Sequence, residues 1–306
     1  MKYSRLRCCG SVAGVLALCM TILTACGPAE EDFDIYQNIA TYALQKYVAA
    51  GAVVRSDITD QFNDLDGSDY ILRLKGLIRL VFGAPRLEVH LSSYTGQRIA
   101  VASVSQFEVP PNSGVFTDAA FTVRPDADVR APILHGDAVK GMGGMDSSFS
   151  IDFYNVNPDY IRINKFFGDQ IDKIEQALAL VEPYQRQGED RGKYIEHIAE
   201  YSTADLRIEI DESYIPEGVT REQYYSDMLT ACQLYMDAYF TALERRTIES
   251  NADMRQKNIA GQEAFMDALY ENDFAAQMGR VLFGDDFDAY YLDGFWRYLE
   301  GGFDGP

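Results

Sequence analysis

His135 and Asp137 stand two residues apart in Ile133-Leu134-His135-Gly136-Asp137-Ala138-Val139, an apolar run opened by Pro132 and followed by Lys140-Gly141. Alternate side chains of a strand point to the same side of a sheet, so in a strand the imidazole and the carboxyl lie side by side. A carboxylate beside a His favours the imidazolium, and such a pair can donate protons near neutral pH. The same residues admit a plain structural reading, in which Asp137 caps a turn and His135, bonded to it, fills the edge of the core. Glu108, in Phe107-Glu108-Val109-Pro110-Pro111, is either a further carboxyl on a neighbouring strand or an exposed residue at a strand end. His90 alternates with Leu91 and reads as a surface sheet residue, and His197 as helix surface or loop.

The elements around these residues change in texture along the chain. Residues 35–50 place Ile35, Ile39, Tyr42, Ala43, Tyr47 and Val48 at helical spacing. From Tyr70 to Tyr154, short runs rich in Val, Ile, Phe, Tyr and Thr are separated by Gly, Pro and Asn. They predict strands at 70–82, 86–94, 98–109, 115–124, 132–137 and 147–154. The short breaks Gly83-Ala84-Pro85 and Thr95-Gly96-Gln97 predict hairpins and hence an antiparallel sheet. Helical spacing returns at 166–182, 220–246, 251–283 and 286–299. Helices flanking one run of strands predict an α+β fold, a three-layer α/β/α sandwich with a central antiparallel sheet, formed by a single domain over residues 35–306.

The N-terminal residues read as an export signal: Lys2, Arg5 and Arg7 precede the apolar run Val12–Leu23, with no acidic residue before Glu30. The run is short for a membrane span. It ends on Leu23-Thr24-Ala25-Cys26-Gly27, which resembles the lipobox of bacterial lipoproteins. That resemblance implies cleavage after residue 25, a lipid anchor on Cys26, an acidic tether over 26–34, and a place in the cell envelope outside the cytoplasm. An ordinary secretory signal is the alternative. Of the five Cys, Cys8, Cys9 and Cys19 leave with the signal, and Cys232 alone remains beside Cys26, so no intrachain disulfide or Cys-based metal cluster is expected. With three His in the chain, a polyhistidine metal site is not expected either. The net charge is −20, and −23 once the three basic residues of the signal are removed. That excludes nucleic acid as an expected partner, because phosphate binding needs a basic surface.

Two stretches resemble the ferredoxin-dependent bilin reductases, which reduce linear tetrapyrroles such as biliverdin. One runs from Pro125 through Pro132 to Asp137; the other is Leu282-Phe283-Gly284-Asp285-Asp286-Phe287, followed by Tyr291 and Gly294-Phe295-Trp296. The resemblance implies a bilin held between the sheet and the C-terminal helices, with no bound cofactor or metal. An external ferredoxin-like donor supplies single electrons, and side chains supply protons. It places the catalytic Asp on Asp137 and, without gaps, a family Glu on Glu108. A position holding His or Asn in the family falls on Ala120. His135 stands where the family has Gly, and Arg130 where it commonly has Asp, so His135 replaces in kind the proton donor absent at Ala120. Asp237, on the 220–246 helix, is a candidate second carboxylate, and Phe295, on the stripe Phe287, Tyr290, Tyr291, Gly294, Phe295, Tyr298, a candidate substrate contact or a core residue.

Charge and location pull the other way. An acidic chain opposes encounter with an acidic ferredoxin, and export separates it from the cytoplasm. The expected functions are therefore a bilin reductase served by another donor, or a non-catalytic tetrapyrrole- or ligand-binding envelope lipoprotein on the same fold. A structural lipoprotein with a filled core is a third.

Overall fold

The computed structural model describes residues 30–54, 69–73, 88–109, 116–140, 147–188, 196, 198–272, 280–281, 283–284 and 287. In chain order the elements are α1 (Glu30–Ala49), β1 (Val53–Val54), β2 (Asp69–Arg73), β3 (Glu88–Gly96), β4 (Ile99–Val109), β5 (Phe116–Pro125), β6 (Ile133–Lys140), β7 (Ser148–Tyr154), α2 (Ile163–Phe167), α3 (Ile171–Val181), β8 (Ile208–Asp211), α4 (Arg221–Glu244) and α5 (Ala252–Asn272). One antiparallel sheet runs in the order β1-β3-β4-β5-β6-β7-β8, with β2 also paired to β3. The expected α+β architecture is the one observed.

Register assigns every side chain of the central strands to one of two faces. Leu134 pairs with Val123 and Phe153, a row that continues into Ala102, and Ala138 with Ala119 and Phe149, a row that continues into Ile210; Val104, Phe121, Ile151 and Ile208 lie in the row between them. All are buried in a single apolar cluster with residues of α1, α2, α3 and α4. Aromatic rings fill its centre: Phe153 stacks on Tyr235 with centroids 5.2 Å apart and lies 4.5 Å from Phe167. Fully burying a side chain of this size contributes about 1.5–3 kcal/mol. Tyr47 of α1 donates to the Ser103 carbonyl at 2.9 Å, and Tyr239 of α4 to the Pro132 carbonyl at 2.8 Å, so the buried phenols are satisfied while their rings fill space.

The fifth helix serves the opposite side. Its buried amides hang on the backbone of the β5–β6 connection: Asn258 donates to the Ala127 carbonyl at 2.7 Å, and Gln262 to the Pro125 carbonyl at 3.0 Å. Asn157 donates to Asn258 at 2.7 Å and holds that amide in place. A Cβ at Gly261 would stand 2.2 Å from the Val156 carbonyl oxygen, so only glycine lets the helix approach the segment after β7 this closely. Phe265 then reaches Tyr154, with ring centroids 4.7 Å apart.

Five of the six strand expectations, 86–94, 98–109, 115–124, 132–137 and 147–154, match β3, β4, β5, β6 and β7 to within a few residues, and the described part of the sixth, 70–73, lies in β2. The helix expected at 166–182 is broken at Gly168, whose φ of +57° is outside the helical region. The short strands β1 and β8 were not expected from the sequence. Of the helix expected at 286–299, only residue 287 is described.

Candidate functional site

The face opposite the apolar cluster has a different composition. Ser103 pairs with Thr122, Thr122 with His135, and His135 with Asp152, forming one row across four strands. The next row runs Ser105, Ala120, Asp137, Ser150 and Glu209. Small or polar side chains thus cover the middle of this face, where the other carries Phe, Leu and Ile. Ser103, Ser105, Thr122, Asp152 and Glu209 are buried, whereas His135, Asp137 and Ser150 remain partly exposed. A carpet of short side chains makes a flat floor, and its partly exposed centre is where His135 and Asp137 stand.

Gly136, between them, explains why the strand holds this pair so firmly to one side. A Cβ there would lie 2.2 Å from the Phe121 ring, which covers the strand from the apolar face. The ring clamps the backbone, and its neighbours 135 and 137 project away from it. Thr122 Oγ1 and His135 Nδ1 are 2.7 Å apart, a hydrogen bond whose direction follows the His tautomer. The His135 and Tyr154 ring centroids are 6.3 Å apart. Burial pushes the Tyr154 phenol well above its usual range, reinforced by the negative charge of Asp152, so Tyr154 stays protonated.

A charged edge borders the floor. Asp152 accepts from the Phe153 amide at 2.7 Å, from Thr203 Oγ1 at 2.8 Å and from Ser202 Oγ. Burial raises its carboxyl to about 6 despite these donors and nearby Arg207. Arg207 donates to Ser202 Oγ at 3.4 Å and pairs with Glu209 at 3.4 Å; Arg186 pairs with Glu209 at 3.6 Å and with Asp211 at 2.5 Å. Buried charges of both signs in sequence compensate one another's desolvation.

The predicted site residues fall in different places. His135 and Asp137 share a face, as their spacing requires. Glu108 pairs with Thr117 and Glu88, in the register rows of Ala102 and Val104 rather than those of Ser103 and Ser105, so the sheet does not bring it together with Asp137. An ungapped count across a hairpin fixes the face only when the loop length is known, because one residue of slip reverses it. Asp237 of α4 accepts from Tyr42 at 2.8 Å and ion-pairs with Lys46, both on α1, in the helical layer across the sheet from His135. Cys26 and Phe295 lie outside the described residues. Asp152 was missed, although Ser148-Phe149-Ser150-Ile151-Asp152-Phe153 alternates polar with apolar and so signals a strand with one polar face.

No protein-family model and no curated protein matches the chain. Solved structures do. One is phytochromobilin synthase from tomato in complex with biliverdin, with a TM-score of 0.59, 14% identity, and coverage of 84% of this chain and 82% of that one. The fold is that of phytochromobilin synthase. At 14% identity the likeness to phytochromobilin synthase establishes the fold and leaves the activity to the residues of the site. Among the described residues, no group of His, Cys, Asp and Glu is arranged to hold a metal ion, and no helix is long and apolar enough to cross a membrane.

Proposed function

We propose that this chain binds a linear tetrapyrrole of the biliverdin type on the Ser/Thr/Ala face of its sheet and reduces it. His135 and Asp137 donate the protons in this reading. The observation that carries it is the partly exposed His135–Asp137 pair at the centre of a flat floor, in a fold shared with a protein solved in complex with biliverdin. An extended planar ligand suits a floor of short side chains. Reduction of one double bond takes two electrons and two protons; the electrons come one at a time from an external donor protein, and each proton offsets charge that is costly on a ligand in a water-poor site. His135 takes over the role that Ala120, in the adjacent row, has no group to perform.

Biliverdin titration tests binding through a shift of its visible absorption. An anaerobic one-electron donor then tests reduction: loss of the bound spectrum to a new product spectrum in the wild type, and its retention in Asp137→Asn, support catalysis. A bound spectrum that the donor leaves unchanged supports the second reading, a tetrapyrrole-binding protein without the reaction, which Ala120 and the net charge of −20 favour. We further propose an envelope location through lipid on Cys26, tested by acyl labelling that Cys26→Ser abolishes.

A further inference from the structure

Asp152 occupies the register position directly across from His135, on the same face, and is 1% exposed. Directly opposed side chains of an antiparallel pair stand within about 4.5–5.5 Å at Cβ. A buried carboxyl beside an imidazole acts on it through a poorly screened field, far more strongly than the same pair would in water. The carboxyl is itself held rigidly: Thr203 and Ser202 donate from one segment, the Phe153 amide from its own strand. On the other side of His135, Thr122 fixes the ring through Nδ1 at 2.7 Å. Imidazole and carboxylate are thus kept in register by groups that neither can leave without breaking a hydrogen bond.

We infer that Asp152 is the positioning residue that sets the charge of His135, holding the imidazole as a cation ready to give up its proton. The inference deepens the functional reading above and names a residue that the sequence comparison with bilin reductases does not mark. Asp137, Tyr154, Arg124, Arg207 and Glu209 are the other titratable or charged groups on this face near the pair, from β5, β6, β7, β8 and the segment before β8. Arg207 supports the Asp152 carboxylate, and so works against the cation on His135 only at a distance while strengthening its nearest partner. Glu209 is engaged by Arg207 and Arg186, which leaves Asp152, the register partner of position 135, and Asp137, two residues along the same strand face, as the flanking carboxyls. Ser202 sits between Arg207 and Asp152 and tunes the pair: its hydroxyl favours the ionised carboxyl.

The coupling is reciprocal, so it can be read from either partner. Asp and His side chains of the full, ligand-free chain are labelled with carbon-13 and titrated by NMR. In the wild type the Asp152 signal titrates near 6. In His135→Gln it moves upward by about half a unit or more, because the cation that favoured the carboxylate is gone, and in Asp152→Asn the His135 signal moves downward by a similar amount. Ser202→Ala raises Asp152 and lowers His135 together. Should Asp152→Asn fail to fold, the His135→Gln shift decides alone. An Asp152 midpoint unmoved by His135→Gln overturns the inference, since a carboxyl serving only as a structural bridge to Ser202 and Thr203 has no reason to sense position 135. These titrations use no bilin. Coupling present with biliverdin neither bound nor reduced supports the inference and counts against the functional reading alone.

Discussion

The two faces of the central sheet are made by the same strands and the same alternation, yet they solve opposite problems. One face offers Phe121, Leu134, Phe149, Ile151 and Phe153 to four helices and is closed by aromatic stacking. The other offers Ser103, Ser105, Ala120, Thr122, His135, Asp137 and Ser150, and its centre stays partly exposed. The difference teaches that packing and polar character are assigned here by parity along the strand: odd positions of β6 carry the candidate site, even positions carry the fold. A residue can then be changed on one face with little effect on the other.

The largest expected effect is on the closed face. Phe153→Ala removes a ring stacked on Tyr235 and tilted against Phe167 and lowers stability by about 3–5 kcal/mol, read by urea unfolding. Asp137→Asn, on the open face, leaves unfolding nearly unchanged but slows biliverdin reduction by at least about 100-fold, the ordinary worth of a proton donor. A stability loss there as large as that of Phe153→Ala would erase the contrast between the faces.

A third test is the pH dependence contributed by Asp152. Its carboxyl is raised in the folded state to about 6, mainly by burial, from 3.8 when exposed. The native state therefore holds the proton more tightly, and this contribution is fully present below pH 4 and lost as pH rises through 6. Over that window the wild type loses about 3 kcal/mol that Asp152→Asn does not, as a difference between paired unfolding curves at several pH values. The smallest effect is at the boundary of the two faces. Gly136→Ala drives a methyl into the Phe121 ring and costs about 1–2 kcal/mol, and it also shifts His135 and Asp137, so reduction slows more than stability alone explains. Equal melting of Gly136→Ala and wild type would show that the ring does not clamp the strand.

Much of this arrangement is legible before any coordinates. The alternation in Ile133–Val139 puts His135 and Asp137 on one side, and Thr95-Gly96-Gln97 joins β3 to β4, whose register resumes at Gly96 and Ile99. Period two is a local property, readable wherever a strand is long enough. What sequence could not supply was the pairing between strands. Glu108 is a reasonable partner for Asp137 by count, but the face it occupies depends on a hairpin whose length only the register reveals. Asp237 shows the helical version of the same limit: a periodic stripe tells which positions of α4 face inward, not whether a residue at its border meets the sheet or, as Asp237 does, Tyr42 and Lys46 of α1. The four residues of β8 were overlooked because Glu209 and Asp211 are poor strand formers; buried arginines make them tolerable.

The attachment of α5 has one more consequence. Asn258 and Gln262 grip carbonyls of Pro125, Ala127 and Val129, so what they recognise is the path of the main chain and not the identity of its side chains. Exchanges among the residues between β5 and β6 are cheap for the latch, while insertion or deletion of a single residue there misaligns the carbonyls with both amides at once. Because that connection leads directly into the strand carrying His135 and Asp137, its length is also the ruler that sets how far this pair stands from the helix above.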